Sequence, residues 1–232
     1  DRPRELTWHP SAGLLVLEAD RVERWSATGE ARPPLTGGGF AFAIAPSPDG
    51  RRIALDSAGT LAIYEPERRL DGPTAQIRDG WTGAYGLVWR DADHLIASDG
   101  SLWELSTGRR LAGRRERDRI RAIAGTPDGR VVVTGGHSHT VDAWDARTLI
   151  DIGPLEPAGV GAFSVAIPAD GTRVAAGGEV RGGDGKIRIW ELPGGRLVET
   201  FRAHCGEVHF VGFSPDGRWL ASSGSDEPLR IW

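Results

Sequence analysis

Val208-His209-Phe210-Val211-Gly212-Phe213, then Ser214-Pro215-Asp216-Gly217, then Trp219-Leu220-Ala221-Ser222, then Leu229-Arg230-Ile231-Trp232: this stretch decides the fold. Three short apolar runs are separated by turn residues. In Ser-Pro-Asp-Gly the proline fixes φ before the turn and the glycine supplies positive φ after it, so the first two runs read as a β-hairpin. The phrase recurs at Ser47-Pro48-Asp49-Gly50, Thr126-Pro127-Asp128-Gly129 and Pro168-Ala169-Asp170-Gly171, with looser forms at His9-Pro10-Ser11-Ala12-Gly13 and Arg90-Asp91-Ala92-Asp93.

An aromatic residue follows each hairpin: Trp25, Tyr64, Trp103, Trp144, Trp190 and Trp232, at spacings of 39, 39, 41, 46 and 42 residues. Six such units account for essentially all 232 residues and leave no linker or second domain, so one domain over 1–232 is expected. Each unit reads strand, turn, strand, turn, strand. A weaker fourth strand lies between units, as at Leu197–Phe201 or Ala75–Arg78. No stretch keeps a helical period over about ten residues without Gly or Pro. A four-stranded unit of about 40–45 residues is the period of a propeller blade. One blade cannot bury both faces of its sheet, so stacking is what makes the core.

Composition agrees. Gly 33 and Pro 15 make turns dense, and the Trp count of 9 exceeds Phe 6 and Tyr 2 because five tryptophans close a blade's third strand. The net charge of −4 argues against a general nucleic-acid polycation. No apolar run reaches the ~18–20 residues of a membrane span, and no membrane association is expected. The single Cys205 excludes an intrachain disulfide framework and fits a reducing, cytoplasmic setting. Lys186 is the only lysine and asparagine is absent, a bias that suggests a GC-rich, bacterial genome.

The last unit resembles the WD40 repeat family. Ala203-His204, Phe213-Ser214-Pro215-Asp216-Gly217, Leu220-Ala221-Ser222, Asp226 and Leu229-Arg230-Ile231-Trp232 follow the family's pattern, with Ala203 in place of glycine. Trp144-Asp145 keeps the dipeptide that names the family, and Trp190-Glu191 replaces its acid. The resemblance implies an all-β propeller of four-stranded antiparallel blades, with six units visible and a seven-bladed ring left open. It also implies a buried structural tetrad of His204, Ser222, Asp226 and Trp232. The other blades depart from it: Glu116 stands for His and Ser138 for Asp in the fourth, Ala158 lies near the His position of the fifth, and Tyr64 replaces Trp in the second. Those five are expected to rely on apolar packing. The absent Met and the short lead before Glu5 suggest a module of a larger protein, with an effector domain attached outside this segment.

Chemical constellations are weighed against structural ones. His204, Cys205 and His209 contain metal-ligand types, but His204 has its tetrad role and no third ligand is spaced to converge. His137-Ser138-His139 likewise lacks a third ligand, so no metal or other cofactor is expected. His204, Ser222 and Asp226 are the residue types of a hydrolase triad, yet a buried serine without a nucleophile elbow cannot serve. Gly177–Gly185 is glycine-dense but runs into a strand rather than the helix a phosphate cradle needs. No catalytic residue is assigned.

The segment Arg109–Arg121 holds seven arginines against one Glu and one Asp. By the resemblance, loops that enter each blade share a rim with the loops between second and third strands. Trp81, Arg114, Arg115, Arg117, Arg119, His137, His139 and Arg181 should therefore lie on one rim, in blades three to five. Trp and Arg are the residues most enriched in binding hot spots. The expected function is a non-catalytic scaffold or sensor module of a signalling or effector protein, binding a protein or peptide through this rim. A propeller-type hydrolase or TolB-like accessory domain is the alternative. Nucleic-acid binding through the arginines is a second, disfavoured one.

Overall fold

The computed structural model describes residues 5–9, 12–17, 21–26, 28–35, 41–57, 59–67, 72–78, 81, 84–113, 120–136, 140–155, 161–179, 183–226 and 229–232. They form six small antiparallel sheets, each a meander in chain order. The fold is an all-β β-propeller with six blades. It divides into two compact units, one of Asp1–Ala97 with Ser101–Gly113 and one of Ser98–Gly100 with Arg114–Trp232.

The first unit holds three blades. They are β1 (Glu5–His9), β2 (Gly13–Leu17), β3 (Val22–Trp25) and β4 (Ala31–Leu35); β5 (Ala41–Pro46), β6 (Ile53–Ser57), β7 (Thr60–Tyr64) and β8 (Ala75–Ile77); and β9 (Leu87–Trp89), β10 (His94–Ala97), β11 (Ser101–Glu104) and β12 (Arg109–Gly113). Between the first two sheets Leu15, Leu17, Ile44, Ile53, Leu55 and Tyr64 form one apolar cluster. Between the second and third, Leu61, Ile63, Trp81, Trp89, Leu95 and Trp103 form another.

The second unit holds β13 (Ile120–Gly125), β14 (Val131–Gly136), β15 (Val141–Asp145) and β16 (Asp151–Pro154); β17 (Gly161–Ala166), β18 (Arg173–Glu179), β19 (Asp184–Glu191) and β20 (Leu197–Cys205); and β21 (Val208–Phe213), β22 (Leu220–Gly224) and β23 (Arg230–Ile231). Val133, Val141, Leu155, Val174 and Trp190 fill the first interface, and Ile187, Ile189, Val208, Val211 and Leu220 the second. The fold is therefore held between sheets, as two-faced blades require.

The hairpins have the geometry their sequence demands. Ser47 Oγ donates to Asp49 Oδ1 at 2.6 Å, Arg52 N–H donates back to Ser47 Oγ at 2.8 Å, and Gly50 turns at φ 64°. Thr126 and Asp128 repeat the bond at 2.6 Å, and Ser214 and Asp216 at 2.5 Å. These bonds draw the Asp49, Asp128 and Asp216 carboxyls below the ordinary carboxylate range.

The residue three places after the hairpin aspartate ties two blades together where it is arginine. Arg52 lies 4.9 Å from the Trp89 ring centre and donates to the Ala92 carbonyl. Arg173 lies 5.7 Å from the Phe213 ring centre and donates to the Gly217 carbonyl at 3.2 Å. The same contact recurs in each unit, made by the same position of the repeat.

Candidate functional site

His204, at the end of β20, is fully buried and reaches both the turn before β23 and the strand β22. Its Nδ1 lies 2.5 Å from Asp226 Oδ1 and its Nε2 lies 2.8 Å from Ser222 Oγ. Trp232 donates its indole N–H to the same Ser222 Oγ at 2.9 Å. With Nδ1–H given to the carboxylate, Nε2 is left to accept the serine proton, and the serine oxygen accepts from the indole. Each donor is used once. Asp226 also accepts the Cys205 N–H and an Arg230 N–H, both at 2.9 Å. The Cys205 N–H, with His204 and Arg230, holds the Asp226 carboxyl below its ordinary value.

The other blades satisfy their tryptophans by shorter means. Trp144 donates to Thr134 Oγ1 at 3.2 Å, and Trp103 to Ser101 Oγ at 2.7 Å. Of two blades expected to rely on apolar packing rather than the full network, the fourth keeps a hydroxyl ten residues before its tryptophan, as Ser222 stands before Trp232, and the third takes its acceptor from Ser101 on the indole's own strand, because a buried indole N–H needs an acceptor.

Trp81, expected on an exposed loop, is only 7% exposed. Its ring meets Trp103 edge-on with centroids 5.3 Å apart, and its N–H goes to Asp56 Oδ1 at 2.8 Å. A large ring beside an apolar interface gains more from burial than its loop position suggests. Arg114, Arg115, Arg117, Arg119, His137, His139 and Arg181 lie outside the described residues.

Asp56 escaped the sequence reading. It is fully buried in β6, and its Oδ2 accepts the Ala84 N–H at 2.5 Å. No ion pair reaches it among the described residues. Burial pushes its carboxyl up, and the N–H groups of Ala84 and Trp81 only partly offset this. The available signal was a carboxylate inside the apolar run Ile53-Ala54-Leu55-Asp56. At the matching place, seven residues after the hairpin aspartate, other blades have Gly135, Gly177 and Ser223.

Cys205 is exposed, with Arg202 Nη2 donating to its Sγ at 3.4 Å. His209 hydrogen-bonds Ser225 Oγ at 3.1 Å. Among the described residues no group of three His, Cys, Asp or Glu side chains is placed to hold a metal ion. A groove of about 420 Å³ in the second unit is lined by Phe201, Phe213, Trp219, Trp232, Arg173 and Arg218, beside β23.

Five four-stranded blades and a three-stranded one, with a recurrent hairpin phrase and a His–Ser–Asp–Trp network that braces the last blade, define a structural repeat protein of the propeller class. Residues 107–145, 157–191 and 195–232 match the family described as WD domain, G-beta repeat, and the chain belongs to the WD40-repeat β-propeller family. It is 33% identical over 133 residues to the WD repeat-containing protein SL1-17 of Schistosoma mansoni, covering 56% of this chain and 42% of that protein. It is 29% identical over 180 residues to the serine-threonine kinase receptor-associated protein of Gallus gallus, covering 74% and 48%. It is 30% identical over 118 residues to protein groucho of Drosophila melanogaster, covering 49% and 15%. The chain thus spans less than half the length of each of these relatives.

Proposed function

We propose that the chain is a non-catalytic scaffold or sensor module that presents its blade loops to a protein or peptide partner. The observation that carries this reading is the fate of the triad-type residues. Ser222 and His204 are both fully buried, and the serine hydroxyl is engaged by both His204 and Trp232. A nucleophile must be reachable beside an oxyanion hole, and this one is consumed in packing. One relative is by its name associated with a receptor, which supports a partner-binding role here. The arginines at 114, 115, 117, 119 and 181, with His137 and His139, are the residues this reading assigns to that partner. The single Cys205 suits a cytoplasmic setting and the arginine bias a bacterial one.

The test is capture by the immobilised chain after chemical cross-linking. A partner retained by the native chain and reduced severalfold by Arg115→Glu supports the reading. Ester or peptide hydrolysis that Ser222→Ala abolishes overturns it in favour of an enzyme. Retention of DNA or RNA that persists at moderate salt overturns it in favour of nucleic acid.

A further inference from the structure

β19 and β20 of the fifth blade carry an unbalanced row of charge. Asp184, Lys186 and Arg188 alternate along β19 and so project from one face of the sheet. The ladder sets Cys205 opposite Asp184, Arg202 opposite Lys186 and Thr200 opposite Arg188. Residues directly opposite share a face, with Cβ atoms about 5 Å apart. One face therefore gathers three cations, one carboxylate and one hydroxyl, and Lys186 is the only lysine of the chain. Arg202 Nη2 lies 2.9 Å from Asp184 Oδ1 and donates to Cys205 Sγ at 3.4 Å. The Lys186 ammonium makes no ion pair among the described residues.

The other blades do not build this row. The two β19 cations stand two and four residues before the closing aromatic. In the first blade those places hold Glu23 and Arg21, which pair at 2.8 Å. In the fourth, Thr140 donates to Asp142 at 2.8 Å. The second and third have no cation there, with Ala62 and Thr60, then Ser101 and Asp99. In the sixth, Arg230 donates to Asp226 at 2.9 Å. Like charges facing each other across a ladder destabilise it. Cations that merely guard an edge belong on the outermost strand. Lys186 and Arg188 instead lie half-buried on β19, between β18 and β20. Burial draws the Arg188 guanidinium below its ordinary value, so its charge is kept at a cost.

We propose that Lys186, Arg188, Arg202 and the Thr200 hydroxyl form a binding site for a phosphate monoester. Three cations less one carboxylate leave two positive charges, which match the charge of about −1.5 to −2 on such a group at pH 7. The lysine supplies a point charge, the arginines planar forks and the threonine a hydroxyl donor. An extended polyanion fits worse, because Asp184 stands at one end of the row and the chain carries a net charge of −4. The site uses none of the residues assigned to the protein partner, so it stands or falls independently of the scaffold reading.

The test is isothermal titration calorimetry of the intact chain with O-phosphoserine. Serine, inorganic phosphate, a phosphoserine peptide and single-stranded oligothymidine are the further ligands. Phosphoserine should bind and serine should not. Lys186→Gln should weaken phosphoserine about tenfold, and Lys186→Arg should restore most of it by keeping the charge. Asp184→Asn should tighten binding severalfold, since it removes the carboxylate that competes for Arg202. A row that serves only packing gives no such gain. An unchanged melting temperature for Lys186→Gln shows that its loss is not unfolding, and where that variant fails to fold, Asp184→Asn decides. Tighter binding of the phosphopeptide than of phosphoserine assigns the phosphate to a protein side chain. Equal binding of phosphoserine and inorganic phosphate assigns it to a small free phosphate. No binding of phosphoserine, an unaffected Lys186→Gln, weaker binding by Asp184→Asn, or preference for the oligothymidine each overturns the site.

Discussion

Trp81 donates its indole N–H to Asp56 Oδ1 at 2.8 Å, and both side chains are buried between the second and third blades. The carboxylate has two N–H donors from one short segment and no cation among the described residues to offset its desolvation. Asp56→Ala should cost about 2–3 kcal/mol, since it strands the Trp81 and Ala84 N–H groups. Asp56→Asn should cost less, keeping an acceptor for Trp81 but turning an amide N–H₂ toward Ala84. Trp81→Ala should destabilise by about 3–5 kcal/mol as a core truncation. Urea unfolding measures all three.

Two aspartates should respond to pH in opposite directions. Asp56 is raised in the fold, so the native state holds its proton where the unfolded chain has lost it. Its contribution is greatest below the ordinary carboxylate pKa and declines as pH rises through the folded value. Asp226 is lowered, so its contribution is present above the ordinary value and is lost as pH falls through the folded one. Stability measured from mildly acidic to neutral pH should lose slope in Asp56→Asn. The acid limb below that should flatten in Asp226→Asn.

Ser222 serves two partners at once, the buried His204 and Trp232, which is 40% exposed rather than buried as the tetrad pattern implied. Ser222→Ala should leave the Trp232 indole N–H without its acceptor and His204 Nε2 without its donor, costing about 1–3 kcal/mol. Ser222→Thr keeps the hydroxyl and should recover most of that, less the strain of one added methyl. Thermal unfolding of the pair separates lost bonding from lost volume.

Leu149 adopts φ 56°, the only non-glycine with positive φ among the described residues. It donates its N–H to the Asp145 carbonyl at 2.8 Å, as Gly195 does to Glu191 at 2.9 Å in the next blade. The same turn therefore carries glycine in one blade and leucine in the other. Leu149→Gly should raise stability by up to about 1 kcal/mol, through relief of the left-handed penalty less the entropy glycine loses. A higher urea midpoint at unchanged slope is the expected result.

Arg52 and Arg173 make one contact in two places, so their truncations should behave alike. Each arginine-to-alanine change should cost about 0.5–1 kcal/mol, and the double variant should cost their sum. Lysine at either place should recover little, because the planar stack is lost. Denaturant titration of the two singles and the double tests this.

The sequence alone determined the blade. Proline, aspartate and glycine at fixed places dictate a hairpin through backbone sterics that hold in any context. The recurrence of a closing aromatic at about 40 residues counts the blades in the same local way. The His204–Ser222–Asp226–Trp232 set was legible because the last unit keeps every member of its family's pattern in place. Tertiary structure decided what faces what. Trp81 stands in a loop by sequence and in a core by packing, because the third blade offers it Trp103 and the second the Asp56 acceptor. Arg121 and His209 read as members of ordinary strands. Only the ladder shows that they are skipped, because register is set jointly with the facing strand. Hairpins follow from interactions a few residues apart. Burial of a loop ring and the aim of a bulged side chain depend on residues far away in the chain.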